Sequence, residues 1–314
     1  MATPARLIRE NPADNLPELL EIARAEIAKA VLGHEESIEL MLIAAMARGH
    51  VLIEGPPGTA KTLLGNAIAR ILGSKFQRLQ CTPDTSPTEI IGEVRMRAGE
   101  AVFERGAVFT NVLLADEINR TPPRTQAALL EAMQERHVSA KGRTFWIDPP
   151  FLVIATQNAS EHIGVFPLPE SQLDRFLVKV GLGYGSAEDE LAVLDLPHRG
   201  ASPDTIGEVF PLLGERAFLV VQDVVDEVTV PDSVRRAIVA IVRHTREQPG
   251  VEMGASTRAA IHLAAASKAR AAMHGRIVAE LEDIVALAPH VLPHRLLVEG
   301  DPVEVVARAV ASAL

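Results

Sequence analysis

The stretch Gly55-Pro56-Pro57-Gly58-Thr59-Ala60-Lys61-Thr62 follows the short apolar run Val51 to Glu54 and opens a segment with helical spacing. A glycine-rich turn between a strand and a helix gathers backbone N–H groups and the positive end of the helix dipole around one point, which is how a P-loop cradles phosphate. In that setting the candidate nucleotide-holding residues are Gly55, Pro56, Pro57, Gly58, Thr59, Ala60, Lys61, Thr62 and Leu63. Lys61 would reach the β and γ phosphates and Thr62 would ligate Mg²⁺. Ala60 stands where the pattern usually carries Gly, and a Cβ there is tolerable only at negative φ. The plain alternative is a glycine-rich strand-to-helix turn with no ligand.

Downstream, Val112-Leu-Leu-Ala-Asp116-Glu117 is an apolar strand that ends in two carboxylates. Alone, paired acids at a strand end are often a solvated helix start. After a P-loop strand they take complementary roles, Asp116 holding the Mg²⁺ shell and Glu117 orienting and polarising the attacking water. A third strand, Phe151 to Gln157, emerges into Asn158. That amide either contacts the γ-phosphate or lytic water from the neighbouring strand tip, or simply caps a turn.

Around these motifs, Val51 to Glu54, Phe76 to Gln80, Val112 to Asp116, Phe151 to Gln157 and Phe176 to Gly181 alternate with helical stretches. That alternation predicts an α/β fold with a parallel sheet covered on both faces. Two helices between Leu16 and Ala47, broken at Gly33, lead into the first strand. Glu93 to Arg105, around Ala98-Gly99-Glu100, and His137 to Ile147, around Lys141-Gly142, read as inserted hairpins. From the capping box Ser186-Ala-Glu-Asp189 onward helices take over, with later starts near Asp232, Ser256 and Asp301. The expected division is a nucleotide-binding domain over 1–185 and a helical domain over 186–314.

The 314 residues are 47% hydrophobic and 23% charged, enough to bury a sizeable core. A net charge of -10 argues against a protein whose main partner is a nucleic-acid backbone. The single Cys81 excludes an intramolecular disulfide framework and a multi-cysteine zinc site, and it suits a reducing interior. No stretch offers about 18 uninterrupted apolar residues, and the opening MATPARLIRENPADN has no signal-like apolar run, so membrane insertion is not expected and the cytoplasm is.

With these motifs assembled, the chain resembles the AAA+ ATPases and, within them, the MoxR family. The resemblance is carried by GPPGTAKT (Gly55 to Thr62), VLLADEINRTPPRTQAALLEAMQER (Val112 to Arg136), ATQN (Ala155 to Asn158), FPLPESQLDRF (Phe166 to Phe176) and GASTRAAIHLAAASKARAAMHGR (Gly254 to Arg276). Ala in the P-loop is a variant the family itself uses, and Thr257 stands where the family more often has Pro. The resemblance implies a five-stranded parallel sheet in the order 5-1-4-3-2 followed by an all-helical lid. It implies that Arg175 is similar to the arginine finger that reaches the γ-phosphate of an adjacent subunit, and that Arg258 looks like the sensor-2 arginine of the lid. Without it, both would read as surface ion-pair residues, as Arg120 and Arg124 do. A finger supplied in trans implies a homo-oligomeric ring, usually a hexamer. The hairpins would be the helix-2 insert and the pre-sensor-1 hairpin.

The expected function is therefore hydrolysis of Mg·ATP in a chaperone-like assembly or metal-insertion factor. Its client would typically be reached through a partner carrying a von Willebrand A domain. The alternatives are a helicase-like remodeller and a regulatory module that binds nucleotide without turnover. Three weaker patterns are set aside. Asp84, Ser86 and Thr88 match the start of a von Willebrand A metal site but read better as a turn. His290 and His294 have metal-compatible spacing, yet Pro289 and Pro293 should break a helix there and leave two surface histidines. Ala259 to Ala272 reads as a lid helix rather than a membrane-seeking one.

Overall fold

The computed structural model describes residues 15–97, 100–158, 164–196, 198–199, 202–203 and 206–314. Most of the opening segment, residues 1–14, and the turn residues Ala98 and Gly99 lie outside the described residues. Helices α1 (Leu16–Ile27) and α2 (Glu35–Met46) precede strand β1 (Val51–Glu54), which turns through the P-loop into α3 (Lys61–Leu72). Strand β2 (Phe76–Gln80) is followed by the short helix α4 (Pro87–Ile91) and a hairpin of β3 (Glu93–Arg97) and β4 (Glu100–Glu104). Next come β5 (Val112–Asp116), α5 (Pro123–Glu135) and a second hairpin of β6 (His137–Ala140) and β7 (Arg143–Trp146). Strands β8 (Leu152–Gln157) and β9 (Val178–Gly181) close the sheet.

Five strands pair in parallel in the order β2-β5-β8-β1-β9. Numbered among themselves along the chain, they give the expected 5-1-4-3-2. Side chains alternate across the sheet as the pleat requires. Val51, Ile53, Val112, Leu114, Leu152 and Ile154 enter one core, while Leu52, Leu113, Ala115, Val153 and Ala155 enter the core on the opposite face. Two covered faces explain why β5 is buried along its whole length. Because all five strands run the same way, their carboxyl ends share one edge, where ligands collect in such sheets.

Beyond β9 the chain is mostly helical, as expected: α6 (Ala187–Leu194), α7 (Glu215–Glu227), α8 (Asp232–Glu247), α9 (Thr257–Met273), α10 (Leu281–Val291) and α11 (Pro302–Ala313). Ser186 caps α6 through the capping box with Asp189, and Ser256 and Asp301 cap α9 and α11. The sequence reading did not single out α7 or α10. Ala-rich α9 is the hub of this lid. Its buried Ala259, Leu263, Ala266 and Ala269 join the same core cluster as α1 and α2.

Two expectations are corrected at α10. Pro289 lies inside the helix, which runs on to Val291, because a proline in the last turn forfeits only one backbone hydrogen bond. His294 is buried rather than exposed, its Nε2 lying 3.2 Å from the Phe176 carbonyl, and His290 is partly covered, 3.2 Å from Glu36. The two do not form a metal cluster among the described residues. Ser86 is the N-cap of α4, its hydroxyl and the Glu89 carboxylate forming a capping box, so the Asp84 to Thr88 segment is a turn leading into a helix.

Buried histidines are expected to make the fold acid-sensitive. Burial, then Arg136, holds the His50 pKa well below its usual value, against a raising contact with the Met133 carbonyl. His294 is lowered by burial and Arg295, and His262 falls to about 3 through burial, Arg295 and Arg258. A depressed folded-state pKa means the unfolded chain binds more protons below pH ~6.5, so this stability is present above that pH and lost as pH falls. Each fully buried histidine should remove roughly 1.4 kcal/mol at one pH unit below its unfolded value. Urea unfolding at pH 7.5 and 5.5 reads the difference; equal stability at the two would show that these histidines protonate freely in the fold.

Candidate active site

The P-loop, the tips of β2, β5 and β8, and α6 enclose a cavity of about 700 Å³. Gly55 is needed where the chain enters the P-loop, since a Cβ there would lie 2.2 Å from the Leu182 carbonyl oxygen. Ala60 adopts φ 58°, in the left-handed region, which overturns the expectation of negative φ. The loop needs that conformation to start α3: the Ala60 carbonyl accepts from Leu64 N at 2.8 Å, and the methyl packs against the core. The strain costs roughly 1–2 kcal/mol, held by its surroundings. Lys61 is buried, its Nζ donating to the carbonyls of Gly55 at 2.8 Å and Pro56 at 2.6 Å, so the ammonium also fastens the loop.

Opposite the loop, Thr62 Oγ1 lies 3.0 and 2.9 Å from the two carboxylate oxygens of Asp116. A hydroxyl and a carboxylate presented side by side are hard oxygen donors of the kind Mg²⁺ takes together with substrate phosphates, so the residues fit that ion. Asp116 is further held by Thr156 Oγ1 at 2.6 Å, and Thr156 accepts from Glu117 N at 2.9 Å. Glu117 has φ 59°, which turns its side chain away from the strand direction. Its Oε1 accepts from Asn158 Nδ2 at 3.3 Å, and Arg120 Nε lies 2.8 Å from its Oε2. Asn158 is buried, and its side chain reaches Glu117.

Three participants escaped the sequence reading. Thr156 braces both acids, as above. Arg78 Nη2 lies 2.7 Å from Asp116 Oδ2, and Gln80 Nε2 lies 3.3 Å from Glu117 Oε2. The only signal was that Arg78 and Gln80 are two apart on a strand, hence on one face. That face becomes meaningful once β2 is known to lie beside β5.

Arg175 and Arg258 are not brought to this cavity. They line a separate one of about 180 Å³ with Arg48, His50, Arg136 and His262. Arg175 Nη1 donates to the Leu130 carbonyl at 2.6 Å, and its buried Nε has no hydrogen-bond partner among the described residues. Arg258, at the start of α9, lies 3.0 Å from Asp174 Oδ2, which neighbours Arg175 in the chain. Among the described residues no carboxylate lines this second cavity, and burial, then Arg48, lowers the Arg136 pKa to about 10.

Residues 50–178 match the family described as the ATPase family associated with various cellular activities (AAA), and residues 243–310 match the AAA lid domain. The chain is 43% identical to chaperone MoxR1 of Mycobacterium tuberculosis, over 90% of this chain and 76% of that protein. The chain belongs to the MoxR family of AAA+ ATPases. It is also 40% identical to the uncharacterised protein YeaC of Bacillus subtilis over 96% of each chain, and 34% identical to protein MoxR of Methylorubrum extorquens over 87% and 86%. A solved structure from Cytophaga hutchinsonii, described as a candidate ATPase, superposes with a TM-score of 0.84 at 34% identity over 94% of each chain. In this MoxR-family chain, no helix among the described residues is long and apolar enough to cross a membrane.

Proposed function

We propose that this chain hydrolyses Mg·ATP at the interfaces of a homo-oligomeric ring, usually a hexamer in this family, and acts as a chaperone-like assembly or metal-insertion factor. The observation that carries the reading is the convergence of Lys61, Thr62, Asp116, Glu117 and Asn158 on one cavity. Gly55 to Leu63 would wrap the phosphates, Lys61 would neutralise their charge, and Thr62 and Asp116 would hold Mg²⁺, which neutralises charge between the phosphates when bound. Glu117 would orient the attacking water, and Asn158 would fix the Glu117 carboxylate and meet the γ-phosphate side. Arg175 and Arg258, paired on the other cavity, would act on the nucleotide of a neighbouring subunit.

The division at residues 185 and 186 would separate the sheet from a lid whose angle follows nucleotide state, with α6 reaching back so that Asp189, Glu190 and Val193 line the nucleotide cavity. Lid movement would then act on the client, reached through a von Willebrand A partner. A cytoplasmic setting suits the buried Cys81, whose thiol is pushed up to about 12 by burial and the nearby Asp116.

Phosphate release by the purified chain tests the ATPase directly and separates it from a regulatory module without turnover. In the same assay Asn158→Ala should lower kcat by roughly one to three orders of magnitude, the effect of removing one positioned polar contact, with little change in ATP affinity. A folded Asn158→Ala variant with normal kcat would return Asn158 to the turn-cap role.

A further inference from the structure

Asp116 is 6% exposed in its side chain, and it is held from two sides that differ in charge. Thr62 and Thr156 offer neutral hydroxyls. Arg78 offers a full positive charge at 2.7 Å on Oδ2, the oxygen that also accepts from Thr62 at 2.9 Å. A buried carboxylate needs a compensating charge, and a guanidinium and a divalent cation cannot both take the same oxygen without repelling each other. Arg78 has room to yield. It sits on the edge strand β2, about half exposed, and it lines the nucleotide cavity. Its second hydrogen bond, to Gln80 Oε1 at 2.9 Å, aims it along the strand toward Glu117, the carboxylate that Gln80 touches.

The geometry points to Arg78 as an internal competitor of the divalent cation. It neutralises Asp116 when no cation is bound, so that an anionic nucleotide is not repelled, and the cation must displace it to reach the carboxylate. The inference rests on the nucleotide site proposed above. It has two opposite consequences for Arg78→Gln, which keeps hydrogen bonding but removes the charge. Metal-free nucleotide should bind more weakly, because Asp116 is left bare. The cation itself should bind more tightly, because its rival is gone.

Calorimetric titration with ADP avoids any turnover and separates the two. In EDTA, Arg78→Gln should weaken ADP binding about tenfold relative to the unmutated chain, the lower end for one charge-assisted contact at a half-exposed site. At saturating Mg²⁺ the two proteins should agree within about threefold, and the free Mg²⁺ concentration giving half of the enhancement should fall about tenfold in the variant. Arg78→Lys, which keeps the charge, should resemble the unmutated chain, and it carries the comparison if Arg78→Gln melts early. Equal weakening in both buffers would mean that Arg78 is merely structural, and an unchanged Mg²⁺ midpoint would mean that it does not compete; either overturns the proposal. If the unmutated chain binds ADP in neither buffer, the nucleotide site itself falls and Arg78 with it.

Discussion

Lys61→Ala is expected to abolish ATP binding at ordinary concentrations, whereas Glu117→Gln should bind ATP normally and lose turnover. The two side chains line one cavity but face different stages of the reaction. Lys61 brings a buried positive charge to the phosphates already in the ground state, and each charge-assisted hydrogen bond lost with it is worth about 1.5–3 kcal/mol, or roughly 10- to 100-fold in affinity. Its removal also unfastens the loop at Gly55 and Pro56. Glu117→Gln keeps the shape and a carbonyl oxygen for Asn158 but removes the charge that polarises water, a contribution felt mainly in the transition state. The loss should reach at least about 10²-fold in kcat, the scale of removing one preorganised electrostatic partner. Binding by calorimetry and turnover by phosphate release separate the two effects. A Glu117→Gln protein that hydrolyses ATP at the unmutated rate would remove Glu117 from that role.

Much of this site is legible because its residues lie at the ends of apolar runs. Asp116, Gln157 and Glu54 stop runs that the sheet buries, and the hydrophobic pattern marks where each strand surfaces. The same pattern overruns the hydrogen-bonded ladder. Phe151 and Phe176 are buried and look like strand residues, yet the strands begin at Leu152 and Val178, since burial rather than pairing is what hydrophobicity reports. Arg78 and Gln80 stayed hidden because β2 is an edge strand with exposed positions, so neither face is marked by composition. The positive φ of Ala60 and Glu117 is imposed by the turns around them, against the local preference of both residue types. Pro289 was given more power to end a helix than its place in the last turn allows, and His294 is buried by the packing of the short turn Pro293–Arg295 against Phe176, a long-range contact that no spacing marks. Arg175 and Arg258 lie far apart along the chain; only the family resemblance singled them out, and both line one cavity.

That shared cavity motivates the prediction able to damage the ring reading most: Arg175 acts on the ATP of a neighbouring subunit. Within one chain Arg175 and the P-loop line different cavities, so within its own subunit Arg175 is not placed on the nucleotide. An arginine supplied in trans contributes roughly 10³ to 10⁵ in rate by stabilising phosphoryl charge, so Arg175→Ala should lose most turnover while keeping ATP affinity. Activity of the unmutated chain should also rise more steeply than linearly with concentration through the assembly range. Mixing is more telling than dilution. Lys61→Ala and Arg175→Ala subunits should each be nearly inactive alone. Together they should regain activity, because an Arg175→Ala subunit keeps its own nucleotide site and can borrow Arg175 from a Lys61→Ala neighbour. Mass measurement must first show that the two co-assemble. If they do and the mixture stays inactive, while dilute monomer of the unmutated chain hydrolyses ATP at full rate, Arg175 acts within its own subunit and the ring built on it has no catalytic basis.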